Sequence, residues 1–166
     1  MRVRVRDRNR IPEIIRTMEE LDGQKMHIGV LGEGEQQMIA SVQEYGIKIV
    51  VTPKMRAFLA SQGLYLKKET VHITIPERSF IRAGWDEHEE DVLDKSDSMI
   101  PELINNGISV RSFLDALGDE SASLIKDFAR DLRNPGNHPF TIHRKGSSNP
   151  LVDTGGMIGA ITYDIL

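Results

Sequence analysis

The sequence predicts an α+β fold, and three observations carry the prediction. Short apolar–polar alternations punctuated by Gly and Pro fill the first half, two long stretches of helical spacing fill the middle, and one more alternation closes the chain. The expected architecture is a small, mostly antiparallel sheet packed by helices, with a long helical hairpin and a returning C-terminal strand. In detail, Arg2-Val3-Arg4-Val5-Arg6 alternates as a strand whose polar face is all arginine. Pro12 opens a helix carrying Ile11, Ile14, Ile15, Met18 and Leu21 on one face, and Gly23 stops it. Residues 25–31 read as a strand and Gly32-Glu33-Gly34 as a loop. Met38, Ile39, Val42 and Tyr45 give a short helix closed by Gly46. Residues 47–52 are a β-branched strand broken at Pro53, residues 54–61 are weakly helical, and residues 70–75 alternate until Pro76.

Beyond Pro76 the period changes. Ile81, Trp85, His88 and Val92 form one helical face, continued by Met99, Ile100, Leu103 and Ile104 with a kink or break expected at Pro101. Phe80 and Trp85 are expected to anchor the junction of helix and sheet. Ser109 caps a second helix bearing Val110, Phe113, Leu114, Leu117, Leu124, Ile125, Phe128 and Leu132, with Gly118 as a point of interruption. The turn at Asn106-Gly107 makes the pair an antiparallel hairpin. Asn134-Pro135-Gly136-Asn137 ends the helix, residues 144–150 read as an exposed basic loop, and residues 160–166 as the last strand. The 166 residues suit one domain, with a basic strand or arm at 1–10, the hairpin at 80–133, and a loop with the final strand at 134–166.

Composition excludes several chemistries. Without cysteine there are no disulfides, thiolate metal sites or cysteine nucleophiles. No apolar run approaches a membrane span, and the basic start leads into no apolar segment, so neither a membrane contact nor a signal peptide is expected. Asp153-Thr154-Gly155 matches an aspartic-protease half-site, yet that chemistry needs a second aspartate and a cleft-building lobe. A capped turn, with Gly155 and Gly156 at positive φ, is the better reading. His88 lies among acids but on the apolar stripe, where a packed histidine outweighs a metal ligand. Gly32-Glu33-Gly34 lacks the third glycine of a dinucleotide fingerprint. No catalytic, cofactor-binding or metal-binding residue is therefore assigned, and the chain reads as no enzyme.

Charge is more informative. The net charge is −4, but residues 2–10 hold five arginines against Asp7, whereas residues 85–104 hold eight acids against Lys95. Opposed blocks of this kind can pair between copies or face different partners. Arg2, Arg4, Arg6 and Arg8, the acids Glu87, Glu90, Asp91 and Asp94, and Arg144 with Lys145 are the interface candidates. The basic groups can also touch phosphates, although no aromatic residues interleave with them.

Three stretches resemble one family. They are Glu44-Tyr45-Gly46, the block from Ile75-Pro76-Glu77-Arg78-Ser79-Phe80 to Arg82, and the block from Arg144-Lys145 through Asn149-Pro150-Leu151-Val152-Asp153-Thr154-Gly155-Gly156-Met157 to Ile161-Thr162-Tyr163. In order and spacing they resemble the virion-morphogenesis proteins of tailed bacteriophages, of the tail-completion, tail-terminator and head–tail joining neck type. The chain carries Glu77 and Ser79 where the family often has a second proline or an arginine–proline pairing, and the arginine strand has no counterpart. The resemblance implies a structural virion protein, present in the host cytoplasm during assembly and then at the neck or head-proximal tail end. It implies a hexameric ring, formed on the phage template or at high concentration from copies that are otherwise monomeric, contacts with other neck and tail proteins, and passage of DNA without sequence readout. A phage-associated DNA-binding or regulatory protein is the alternative, and a hydrolase follows it.

Overall fold

The computed structural model describes residues 9–105 and 107–166. The expected arginine strand, with Arg2, Arg4, Arg6 and Arg8, lies outside the described residues. Eleven elements follow in order: α1 (Ile11–Leu21), β1 (Met26–Val30), α2 (Glu35–Tyr45), β2 (Ile47–Val50), α3 (Pro53–Ser61), β3 (His72–Ile75), α4 (Phe80–Ile104), α5 (Val110–Asp131), α6 (Pro139–Lys145), α7 (Gly156–Gly159) and β4 (Ile161–Ile165). The fold is α+β, with β4 returning to pair with β1.

The strands form two separate antiparallel ribbons of two strands each. In the first, β1 pairs with β4 in the register Met26↔Ile165 to Val30↔Ile161, and its apolar face lies on α5. In the second, β2 pairs with β3 from Ile47↔Ile75 to Val50↔His72. Helices α4 and α5 form the antiparallel hairpin against which α1, α2, α7, β1 and β4 pack.

Two apolar clusters stabilise this arrangement. Phe80, fully buried, sits with Ala122, Ile125, Ala129, Leu151, Met157, Ile158 and Ile161 where α4, α5, α7 and β4 meet. Val92, Leu103, Val110, Phe113 and Leu117 form the second cluster at the closed end of the hairpin, with Leu21 of α1 and Trp85 packed against it. Trp85 is only half-buried, so of the two expected aromatic anchors Phe80 alone is enclosed.

Three expectations about the helices need correction. Of the kink or break expected at Pro101 the break does not occur, and helix α4 runs continuously through it. The proline stands exposed in the last turn, Leu103 anchors that turn in the core, and the Asn105 N–H donates to the Pro101 carbonyl. Gly118 does not interrupt α5, because its role is space. A Cβ there would fall 2.3 Å from the Tyr163 ring of β4, so glycine lets the strand lie directly on the helix. The Tyr163 hydroxyl donates to Asp115 across the same contact at 3.2 Å, and burial, with that hydrogen bond, holds the phenol above its ordinary pKa.

The expected loop at 144–150 begins instead as the end of a helix. Pro139 at the first turn and the His138 side chain, which accepts from the Phe140 N–H at 3.2 Å, start α6, and Gly146 in the left-handed conformation ends it. Short α7 had no periodic signal. At the other terminus of α4, Arg10 donates to the Ile104 carbonyl at 3.0 Å and to Asn105 Oδ1 at 2.9 Å, so α1 is tied to the end where a cation is favoured.

Truncating Phe80 to Ala should cost about 3–5 kcal/mol in denaturant unfolding, and Trp85→Ala less, because the indole is only partly buried. Gly118→Ala should destabilise the protein by about 1–3 kcal/mol despite its better helix propensity, since the Tyr163 ring must move.

Candidate functional site

The densest polar constellation lies where β3 hands over to α4. Glu44, near the end of α2, is 3% exposed. Its carboxylate accepts from the backbone N–H groups of Ile81 at 2.9 Å and Arg82 at 3.1 Å, the second and third residues of α4. It also accepts from the Ser79 hydroxyl at 3.1 Å and from Arg82 Nε at 2.9 Å. Ser79 occupies the N-cap position but its side chain accepts no backbone bond, so a side chain from another helix caps α4 in its place. Negative charge at a helix N-terminus is favoured by the aligned peptide dipoles, which suits a carboxylate buried there.

Arg82 completes the arrangement. It donates to the Glu44 carbonyl at 3.2 Å and to Glu77 Oε1 at 2.8 Å, and its guanidinium lies 4.9 Å from the centre of the Tyr45 ring. The hydrogen bond it donates to the Glu44 carboxylate, foremost, raises the Arg82 pKa above its ordinary value. Gly46, at φ 67°, passes so close to β3 that a Cβ would meet the Glu77 nitrogen at 2.7 Å and the Ile75 oxygen at 2.9 Å. Each residue of the Glu44-Tyr45-Gly46 stretch thus touches the block that follows β3.

Arg78, 3% exposed, faces the other way. It donates to the Pro135 carbonyl at 2.7 Å, Gln43 Oε1 at 2.6 Å, the Gly136 carbonyl at 3.1 Å and Asn137 Oδ1 at 3.1 Å. All four acceptors are neutral, and burial pulls its pKa below the ordinary value. A guanidinium fork suits this work, since it binds four oxygens on two chain segments at once. Asn137 in turn reaches the Asn149 carbonyl at 3.5 Å, and Asn149 Oδ1 accepts from the Leu151 and Val152 N–H groups at 2.9 and 3.1 Å.

The remaining sequence-derived candidates are distributed around this clamp. Glu87, Glu90, Asp91 and Asp94 are exposed on α4, and Asp91 pairs with half-buried His88 at 2.9 Å. Arg144 is exposed at the end of α6. Lys145, by contrast, is half-buried and donates to the carbonyls of Asn149 at 2.9 Å and Pro150 at 3.3 Å, with its pKa lowered chiefly by burial. It is a brace for the last turn rather than an outward-facing charge. That turn is organised by Asn149, not by Asp153. Gly155 takes positive φ as expected, at 83°, whereas Gly156 begins α7 in helical conformation. Asp153 is exposed beside an open cleft of about 440 Å³ that also borders Glu35, Thr141 and Lys145.

Among the described residues no three His, Asp or Glu side chains stand together as metal ligands, and no helix is long and apolar enough to cross a membrane. Sequence reasoning placed Glu44, Arg78 and Ser79 in distinctive stretches but did not foresee that Glu44 binds Ser79 and the start of α4, or that Arg78 binds Gln43 and the loop at 135–137. Against protein-family models, curated proteins and solved structures, the chain gives no match.

Glu44→Ala should cost about 3–5 kcal/mol by leaving the α4 N-terminus and the Arg82 guanidinium without their buried partner, and Glu44→Gln about half as much. Arg78→Lys should speed amide hydrogen exchange across residues 134–137 while leaving exchange in α5 near wild type, because a single ammonium cannot hold four oxygens.

Proposed function

We propose that this chain is a structural, non-enzymatic subunit of a tailed-phage virion, acting in tail completion and head–tail joining within a neck or tail-terminator ring. The observation that carries the reading is the convergence of the three stretches that resemble the family. Glu44 caps the helix that follows Pro76, Arg78 grips the loop at Pro135 to Asn137, and Asn137 and Lys145 hold the turn at Asn149-Pro150 that leads into β4. Stretches far apart in sequence therefore form one continuous structural unit, as residues that define a shared fold would.

The chemistry agrees with an assembly role. The polar groups of the clamp are spent on backbone and side-chain partners, and the described residues leave no buried side-chain polar atom without a partner to act on a substrate. Charge and apolar surface are instead displayed outward, on α4 and on the β2–α3–β3 region. The partners in this reading are other copies in a hexameric ring and neighbouring neck and tail proteins, with DNA passing through unread. In the virion the subunit sits at the neck or the head-proximal tail end.

Disrupting the gene in the genome that encodes the chain and imaging the particles after induction tests this. Separate filled heads and tails, rejoined when the purified protein is added, are the expected result. Intact, infectious particles formed without the protein would reject the reading.

A further inference from the structure

Residues 47–75, comprising β2, α3 and β3, form a lobe in which not one residue is buried. Ile49, Leu59, Leu64, Leu66 and Ile73 are only partly covered, while Val50, Phe58, Tyr65 and Val71 are 63, 53, 81 and 61% exposed. Among the described residues the ribbon β2–β3 has no third strand, so none of them pairs with its two outer edges. A two-stranded ribbon with an open apolar face is marginal by itself, and an uncovered edge next to exposed apolar side chains is a docking surface. The lobe is also basic, with Lys48, Lys54, Arg56, Lys67 and Lys68 against Glu69 alone. Arg56 is occupied by the carbonyls of Leu66, Lys67 and Thr70, but none of the four lysines forms an ion pair among the described residues. Lys48 and Val50 share the ribbon face that lies opposite Ile49 and Ile73.

The complementary surface is on the same chain. Leu93, 57% exposed, and Ile100, 37% exposed, stand seven residues apart on α4 and so form one stripe. Asp86, Glu89 and Asp97 fall beside that stripe at helical spacing, and all three are exposed. Each surface thus carries exposed apolar side chains together with charge, positive on the lobe and negative on α4.

We propose that the β2–α3–β3 lobe of one copy docks on the Leu93–Ile100 stripe of α4 in a second copy, making a head-to-tail contact. Two different surfaces meet, so the contact repeats from copy to copy and closes only where the rotation per subunit allows. Apolar burial supplies affinity, and the opposed charges set orientation and exclude lobe-to-lobe pairing. The inference goes beyond the virion reading, because it follows from the two surfaces and needs no phage context.

The test uses sedimentation velocity up to millimolar concentration, at low and high salt. One variant disables the lobe (Lys48→Glu with Val50→Glu), the other the stripe (Glu89→Lys with Leu93→Lys), and all four positions are exposed, so circular dichroism should match wild type. Wild type is expected to associate with concentration and to do so less at high salt. Each variant alone should associate about tenfold more weakly or not at all. An equimolar mixture of the two should form dimers and stop there, since one intact lobe and one intact stripe remain. A wild type that stays monomeric throughout, variants that assemble like wild type, or a mixture that stays monomeric would each overturn the proposal. Head–tail joining is not the readout, so failure of the virion reading would leave this result standing, and the reverse holds equally.

Discussion

A carboxylate buried at 3% exposure is costly unless every lone pair is used, and Glu44 uses its own on the first turn of α4. The position is unfavourable within its own helix, because a negative charge near the end of α2 opposes that helix's dipole. It becomes favourable only against the N-terminus of another helix. Arg82 presents the mirror problem, a cation in the first turn of α4, and the same contact resolves it. Neither residue is well placed unless α2 and α4 are docked. The pair therefore specifies one angle between the helices, and with it the point where the chain leaves β3.

From that point two different bodies diverge. On one side Phe80 enters the core beneath α5, α7 and β4, and Arg78 fastens the loop that precedes α6. On the other, Gly46 and Pro76 bring the two ends of the β2–α3–β3 lobe side by side, with no room for a Cβ between them. The base of the lobe is thus held by the clamp while its body stays half-covered. Local opening free energies follow buried contacts, so the lobe is the part of the described chain with least to lose by moving or by adding a partner.

Most of the fold was legible because its elements combine a clear period with Gly or Pro punctuation. Gly23, Gly46, Pro53 and Pro76 bound α1, α2, α3 and β3 close to where the pattern changes. The misjudged elements are those where long-range packing decides. Pro101 argues locally for a break, but the buried Leu103 two residues later keeps the turn helical. Gly118 looks like weakness until Tyr163, 45 positions away, is seen to fill its side-chain space. Helix α6 did have local signals, His138-Pro139 before it and Gly146 after it, which the basic character of Arg144-Lys145 masked. The clamp was half legible: its residues stood out, yet nothing near Glu44 announces that its partners begin 35 positions on. The basic lobe was hidden in another way, since its lysines lie within residues 11–84, whose acids and bases balance to zero.

The acidic helix is the remaining asymmetry. Asp86–Glu90, Glu87–Asp91 and Glu90–Asp94 are like-charge pairs one turn apart, each costing about 0.2–0.5 kcal/mol in an isolated helix. Beyond its first turn α4 itself carries a single lysine or arginine, Lys95, which pairs with Glu120 of α5 at 2.6 Å, and Arg10 adds a cation at its far end. Helix α4 is held together by Phe80, Val92 and Leu103 in spite of its surface. Salt screens that repulsion and so strengthens the single subunit, while the same screening weakens any contact between α4 and a cationic surface. Thermal stability that rises with salt while association falls with it is the signature of acids kept for a partner. Repulsion inside one chain and attraction between two chains then come from the same carboxylates, and ionic strength moves them in opposite directions.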